Sequence, residues 1–213
     1  MWTRKELKDQ CKAVMARSYG RMFVVALLAS IAYGVVEIEV EDFTSDPRIA
    51  ILISACFVAL FFFAVTVIEV GADKFFILNS KDSNVPISTV FSMFKSDQYW
   101  NIVKIMFMKN LKTVLWTLCF VIPGIIKMYE YSMIPYLLAE NPNMAMDEAF
   151  QVSKKMTDNQ KMNMFVLNVS FIGWYILGIF TCGIGFALIS PYVYGTETEL
   201  YLRLKTDTMY FTF

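Results

Sequence analysis

The chain has 213 residues, of which 57% are hydrophobic and only 18% charged, below the roughly 25% charged of an ordinary soluble domain. Nineteen basic and nineteen acidic residues cancel, which leaves no overall field to favour nucleic acid or an acidic substrate. Histidine is absent, and Cys11, Cys56, Cys119 and Cys182 lie far apart with no Cys-x-x-Cys pair. Zinc sites, a disulfide framework and histidine-dependent hydrolysis are therefore disfavoured, and no cofactor is expected.

Residues 1–21 carry Arg4, Lys5, Lys8, Lys12, Arg17 and Arg21 against Glu6 and Asp9, an excess that keeps this end cytoplasmic. Leu7, Cys11, Val14 and Ser18 recur at helical spacing beside Trp2, which predicts an amphipathic helix in the headgroup plane or a soluble N-terminal turn. Met22 to Val36 is uncharged for 15 residues, enough to span if Arg21 and Glu37 snorkel. An acidic loop, Glu37 to Asp46, leads into a second apolar run, Ile49 to Ile68. Residues 22–70 thus read as a first hairpin.

Residues 71–112 mix apolar groups with Lys95, Lys104, Lys109 and Lys112, an interfacial segment grading into a span. Residues 113–139 read as a second hairpin, broken at Pro123-Gly124 and carrying Lys127, Glu130 and Pro135 on its return leg. Residues 140–161 form a cytoplasmic loop with a surface helix on the stripe Ala145, Ala149, Val152 and Met156, capped by Asn143. Between Lys161 and Glu197 lie 35 residues without a charge. One span takes roughly 20 residues, so 162–202 becomes a third hairpin around Gly183-Ile184-Gly185, and 203–213 is a cytoplasmic tail. The expected fold is an all-α polytopic bundle of about six spans in three hairpins, forming a single integral membrane domain over 1–213 with both termini cytoplasmic.

The last two hairpins share a spacing. Phe107 and Trp116 recur as Phe165 and Trp174, each 58 positions on. Pro123-Gly124 corresponds to Gly183-Ile184-Gly185, and Pro135-Tyr136 to Pro191-Tyr192. A fainter trace links Glu69-Val70-Gly71 and Phe75-Phe76 to Tyr194-Gly195 and Leu200-Tyr201, and three parallel copies, each an interfacial helix followed by a hairpin, would explain six spans; the alternative is chance matching among few residue types.

Glu140-Asn141-Pro142, Glu148-Ala149, Ser153, Met156, Lys161, Phe165, Ser170-Phe171-Ile172-Gly173-Trp174, Thr181, Gly183-Ile184-Gly185 and Pro191-Tyr192 form one ordered pattern. Trp116, Pro123-Gly124-Ile125-Ile126 and Tyr131-Ser132-Met133 extend it. The pattern resembles the bacterial integral membrane family catalogued as domain of unknown function 975, closely over the C-terminal two thirds. The resemblance implies a multi-span protein of the bacterial cytoplasmic membrane, distantly similar to membrane domains attached to some glycerophosphodiesterases, and it supplies no activity. Where that family usually has glycine two residues before its lysine, this chain has Asn159 before Lys161; asparagine also tolerates a left-handed backbone.

Glu69, Lys127, Glu130 and Glu197 are the polar candidates for a site, because ionisable groups near spans mark function first. Lys127 and Glu130 are three apart and are expected to pair near the outer surface; Glu69 and Glu197 end the second and sixth spans, with Asp73 and Glu199 just beyond. Asn168, Ser170 and Ser190 suit bonds between helices, while Gly173, Gly178, Gly183 and Gly185 suit close packing. Tyr129, Tyr131, Tyr136, Tyr192 and Tyr194 are expected in aromatic belts. No catalytic or metal constellation emerges. The leading reading is a non-enzymatic organising, accessory or regulatory component that meets the lipid bilayer and a membrane-protein partner or a second copy. The alternative is a transporter or lipid-handling protein with a site near the broken helices.

Overall fold

The computed structural model describes residues 2–34, 47–95, 97–181 and 184–210. The acidic loop, Gly183 and Cys182 lie outside the described residues. The fold is all-α, with no strand among the described residues. Its helices are α1 (Arg4–Gly34), α2 (Pro47–Lys81), α3 (Tyr99–Cys119), α4 (Val121–Glu130), α5 (Ile134–Glu140), α6 (Met146–Thr157), α7 (Lys161–Val169), α8 (Ile172–Phe180) and α9 (Ile184–Tyr210). A 3₁₀ segment, Ile87–Lys95, precedes α3.

Helix α1 breaks at Ser18, whose φ of -146° and ψ of 26° are not helical. Trp2, Leu7, Cys11, Val14 and Ser18 are all buried, so the amphipathic stripe read in the sequence is real. Its cover is protein: the Cys11 thiol donates to the Tyr192 carbonyl at 3.5 Å, and α1 runs against α9. A Cβ on Gly195 would lie 2.6 Å from Cys11 Sγ, so the glycine lets α9 come this close without displacing the Cys11 side chain.

The elements follow one order three times: a short amphipathic segment, an outgoing leg and a return leg. The segments are the first half of α1, the 3₁₀ segment and α6; the returns are α2, α4 with α5, and α9. Helix α2 packs on the 3₁₀ segment, α5 on α6, and α9 on α1. Each return leg therefore covers the amphipathic segment of the next unit, and the third closes on the first. Gly71 is the counterpart of Gly195, its added Cβ falling 1.9 Å from the Val90 carbonyl oxygen of the 3₁₀ segment.

Both later hairpins turn at glycine. A Cβ on Gly124 would sit 2.6 Å from Thr117 Cα, and one on Gly185 2.7 Å from Gly178 Cα. Gly173 meets nothing within 4 Å, so its expected packing role is not seen. The Pro-Tyr pairs behave differently from one another. Pro135 starts α5 after a break at residues 131–133, whereas α9 continues through Pro191. A proline has no N–H for the carbonyl four residues back; here Ser190 Oγ donates to Ala187 O at 2.9 Å in its place.

Helix α6 buries Ala149, Ser153, Met156 and Thr157. Its N-cap is Ala145, with no side-chain cap, so Asn143 does not cap it. Asn159, in the turn after α6, has φ 57°, the left-handed conformation that asparagine tolerates better than other non-glycine residues.

Candidate functional site

The polar candidates gather in two places. The first lies where α2, α5 and α9 meet. Asp73 is 4% exposed and feels Glu69, Lys109 and Glu197. Lys109 of α3 donates to Glu69 Oε1 at 3.1 Å. Burial holds the Asp73 carboxyl well above the usual carboxylate range; Glu69 adds to the rise, Lys109 opposes it and Glu197 adds again. Tyr136 is within hydrogen-bonding reach of Thr198 and stacks on Tyr201 at 5.0 Å between ring centroids. A cavity of about 70 Å³ beside them is lined by Tyr129, Ser132, Met133, Tyr136, Met164, Asn168, Glu197 and Leu200. That volume holds a water or two. Tyr129, Tyr131 and Tyr136 are thus buried inside the bundle instead of forming belts.

The second place is the C-terminus of α4. Lys127 Nζ donates to Glu130 Oε1 at 2.9 Å and Lys161 Nζ to Oε2 at 3.4 Å. The Glu130 carbonyl accepts from Ser153 Oγ of α6 at 2.7 Å. With its side chain 5% exposed, Glu130 ties α4, α6 and α7 together. Asn168 Nδ2 adds a bond to the Tyr129 hydroxyl at 3.3 Å. Lys127 also lies 5.6 Å from the centroid of the Trp116 ring. The spacing of the pair was legible; its neighbours were not. The pair touches Ser153 and Lys161, which puts it in one layer with α6 and the start of α7.

Sequence reading passed over two features. Asp73 was noted only as a flank of Glu69, although four residues put both carboxylates on one helical face. Glu140 was read as a loop boundary, yet it accepts from the Tyr201 hydroxyl and from Lys205 Nζ. That pair rims a groove of about 500 Å³ between α5, α6 and α9, with Leu137, Met144, Val152 and Met156 inside and Lys155 and Lys205 at its edge. No group of three or more metal-ligating side chains occurs among the described residues.

Arg4–Ser30 and Lys161–Phe180 are long and apolar enough to cross a membrane, and only 22% of the apolar window in the second is buried by the protein. Large apolar side chains crowd the outside of the α3–α4 and α8–α9 hairpins, among them Leu118, Phe120, Ile122, Ile179 and Phe180. Residues 118–208 match the family described as "Protein of unknown function (DUF975)". The match begins near the tip of the α3–α4 hairpin and runs to the end of α9, so it takes in Glu130, the Glu140 groove and Glu197. No curated protein and no solved structure matches the chain.

Proposed function

We propose that this chain is a non-enzymatic integral protein of the bacterial cytoplasmic membrane, built of three helical hairpins with both termini on the cytoplasmic side, which organises or regulates a partner membrane protein. The observation that carries this is the inversion of the α3–α4 and α8–α9 hairpins: apolar side chains face outward around them, while Glu130, Lys127 and Lys161 close at their base. Such an arrangement is stable only if hydrocarbon covers the outside. The basic excess of residues 1–21 and 154–161 supports the orientation. The groove beside Glu140 offers a partner an apolar floor with a charged rim.

Two experiments test the reading. Carbonate-washed membranes should retain the protein, and its release to the soluble fraction refutes the membrane assignment. A photo-crosslinking residue at Val152, in the groove, should give one discrete adduct in native membranes, absent when the probe is moved to exposed Lys154. Absence of any adduct refutes partner organisation. Transport is the second reading, favoured by the buried Asp73 facing Glu197; reconstituted vesicles whose proton and solute fluxes do not respond to Asp73→Asn would end it.

A further inference from the structure

The hairpin of α3 and α4 has a measurable reach. Lys112 rests 3.9 Å from the centroid of the Phe150 ring of α6, and on the return leg Tyr131 meets the same ring at 4.9 Å. Both legs therefore leave and rejoin the body at the level of α6. Between them the chain turns at Phe120, an extended residue linking two helices directly. Eight residues separate Lys112 from Phe120, and at 1.5 Å per residue the tip stands about 12 Å beyond that level. A bilayer's hydrocarbon is about 30 Å thick, or roughly 15 Å per leaflet.

We infer that this hairpin, residues 113–127, is re-entrant: it enters one leaflet from the cytoplasmic side, turns near the bilayer midplane and returns, so that the chain crosses the membrane four times and not six. The occupant of its outer surface is acyl chain. Leu118, Phe120, Val121 and Ile122 are 78%, 71%, 65% and 73% exposed at the tip, where a crossing hairpin would instead place residues that meet water. The flanks carry the interfacial signature, Trp116 beside Lys127 on one face and Lys112 at the base.

The turn is also built for a dry place, where unpaired backbone groups are costly. Phe120 N–H donates to Trp116 O and Gly124 N–H to Phe120 O, both at 3.0 Å. Pro123 brings no N–H to the first turn of α4, where it would lack a partner. Thr117 Oγ1 is spent on Thr113 O at 2.8 Å. The inference rests on the membrane reading above, and it deepens it by making the second unit a wedge in the cytoplasmic leaflet.

Cys119, exposed one residue before the turn, is the reporter. Intact cells and inverted vesicles would be treated with a membrane-impermeant maleimide, comparing the native protein with Cys119→Ala and then Ile122→Cys placed in Cys119→Ala. Thr44→Cys, in the expected outer loop, and Lys154→Cys, on exposed α6, serve as controls. The expected result is that neither Cys119 nor Ile122→Cys is labelled from either side, and that both react fully once detergent is added. A nitroxide at Ile122→Cys should be at least tenfold more accessible to oxygen than to a water-soluble nickel chelate. Labelling from outside at the rate of Thr44→Cys overturns the inference in favour of a crossing hairpin, and labelling from inside at the rate of Lys154→Cys overturns it in favour of a tip in water. In both cases retention in carbonate-washed membranes leaves the membrane reading standing; release from them sinks both.

Discussion

Gly71 is where the closure of the three units is most exposed to a single methyl group. Its added Cβ would lie 1.9 Å from the Val90 carbonyl oxygen, 2.8 Å from the carbonyl carbon and 3.1 Å from Val90 Cα. All three atoms are backbone, so no rotamer change relieves the clash. Restoring ordinary contact means moving the 3₁₀ segment by roughly 1.5 Å, and with it Val90 and Met93, which are 0% and 2% exposed. Overpacking of this kind costs roughly 1–3 kcal/mol, against which alanine returns about 1 kcal/mol of helix propensity. Gly71→Ala should therefore lose about 1 kcal/mol net, or about 2–4 °C in Tm for a chain of this size.

Gly20 supplies the control, because a Cβ there meets nothing within 4 Å; Gly20→Ala should gain up to about 1 kcal/mol. Thermal unfolding of the detergent-purified protein, followed by size-exclusion chromatography, measures both. If Gly71→Ala melts at or above Gly20→Ala, the packing of α2 on the 3₁₀ segment is wrong. Gly195→Ala extends the argument: its close neighbours, Cys11 Sγ at 2.6 Å and Met22 Cε at 3.0 Å, are side-chain atoms. Its loss should be smaller than that of Gly71→Ala, and Cys11→Ala should partly rescue it, a non-additive pair expected of residues in contact.

Three further outcomes follow from the polar network and the backbone. Asn159→Val should cost about 1–2 kcal/mol, because a β-branched residue is strained at φ 57°, while Asn159→Gly should be neutral or better; equal melting of the two would remove the left-handed turn. Glu130→Ala leaves Lys127 and Lys161 facing each other and should cost about 2–3 kcal/mol, less than a fully buried pair because both lysines are partly exposed; Lys161→Met should cost less, and the reverse order would refute the three-helix tie. Asp73 has a carboxyl raised in the fold above its ordinary value of 3.8. The folded state therefore holds its proton more tightly than the unfolded chain, and stability is lost as pH rises from 3.8 through the raised value. Asp73→Asn should melt above the native protein at pH 8, by about 1.4 kcal/mol for each unit of rise, with the gap closing toward pH 4; a gap that does not change with pH would show that folding leaves the Asp73 carboxyl unshifted and would refute the reasoning.

Local patterns were readable because they are set by neighbours in the chain. The stripe Leu7, Cys11, Val14 and Ser18, the Gly-centred turns, the left-handed Asn159 and the Lys127–Glu130 pair all depend on residues four or fewer apart, and each is found. What could not be read is what covers each face. A helical stripe looks the same whether lipid or α9 lies against it, and the stripe in residues 1–21, expected in the headgroup plane or in a soluble turn, packs on α9, where Gly195 lets the helix come within reach of Cys11. The same ambiguity applies to Lys127 and Glu130. Counting uncharged residues makes 113–126 an outgoing leg and 127–139 a return, which sends the pair to the far surface. Ser153 and Lys161 reach Glu130 from 23 and 31 residues away, and those two bonds hold the return end of residues 113–127 in the layer of α6, where Lys112 over Phe150 holds the outgoing end. Tyr136 went to a supposed belt for a similar reason, since its ring is covered by Tyr201, 65 positions later in sequence. Hydropathy thus reports how much chain prefers hydrocarbon. Where that chain rejoins the body is decided by the polar groups at its two ends, and in the second hairpin these are Lys112, over the Phe150 ring, and Glu130, held by Ser153 and Lys161.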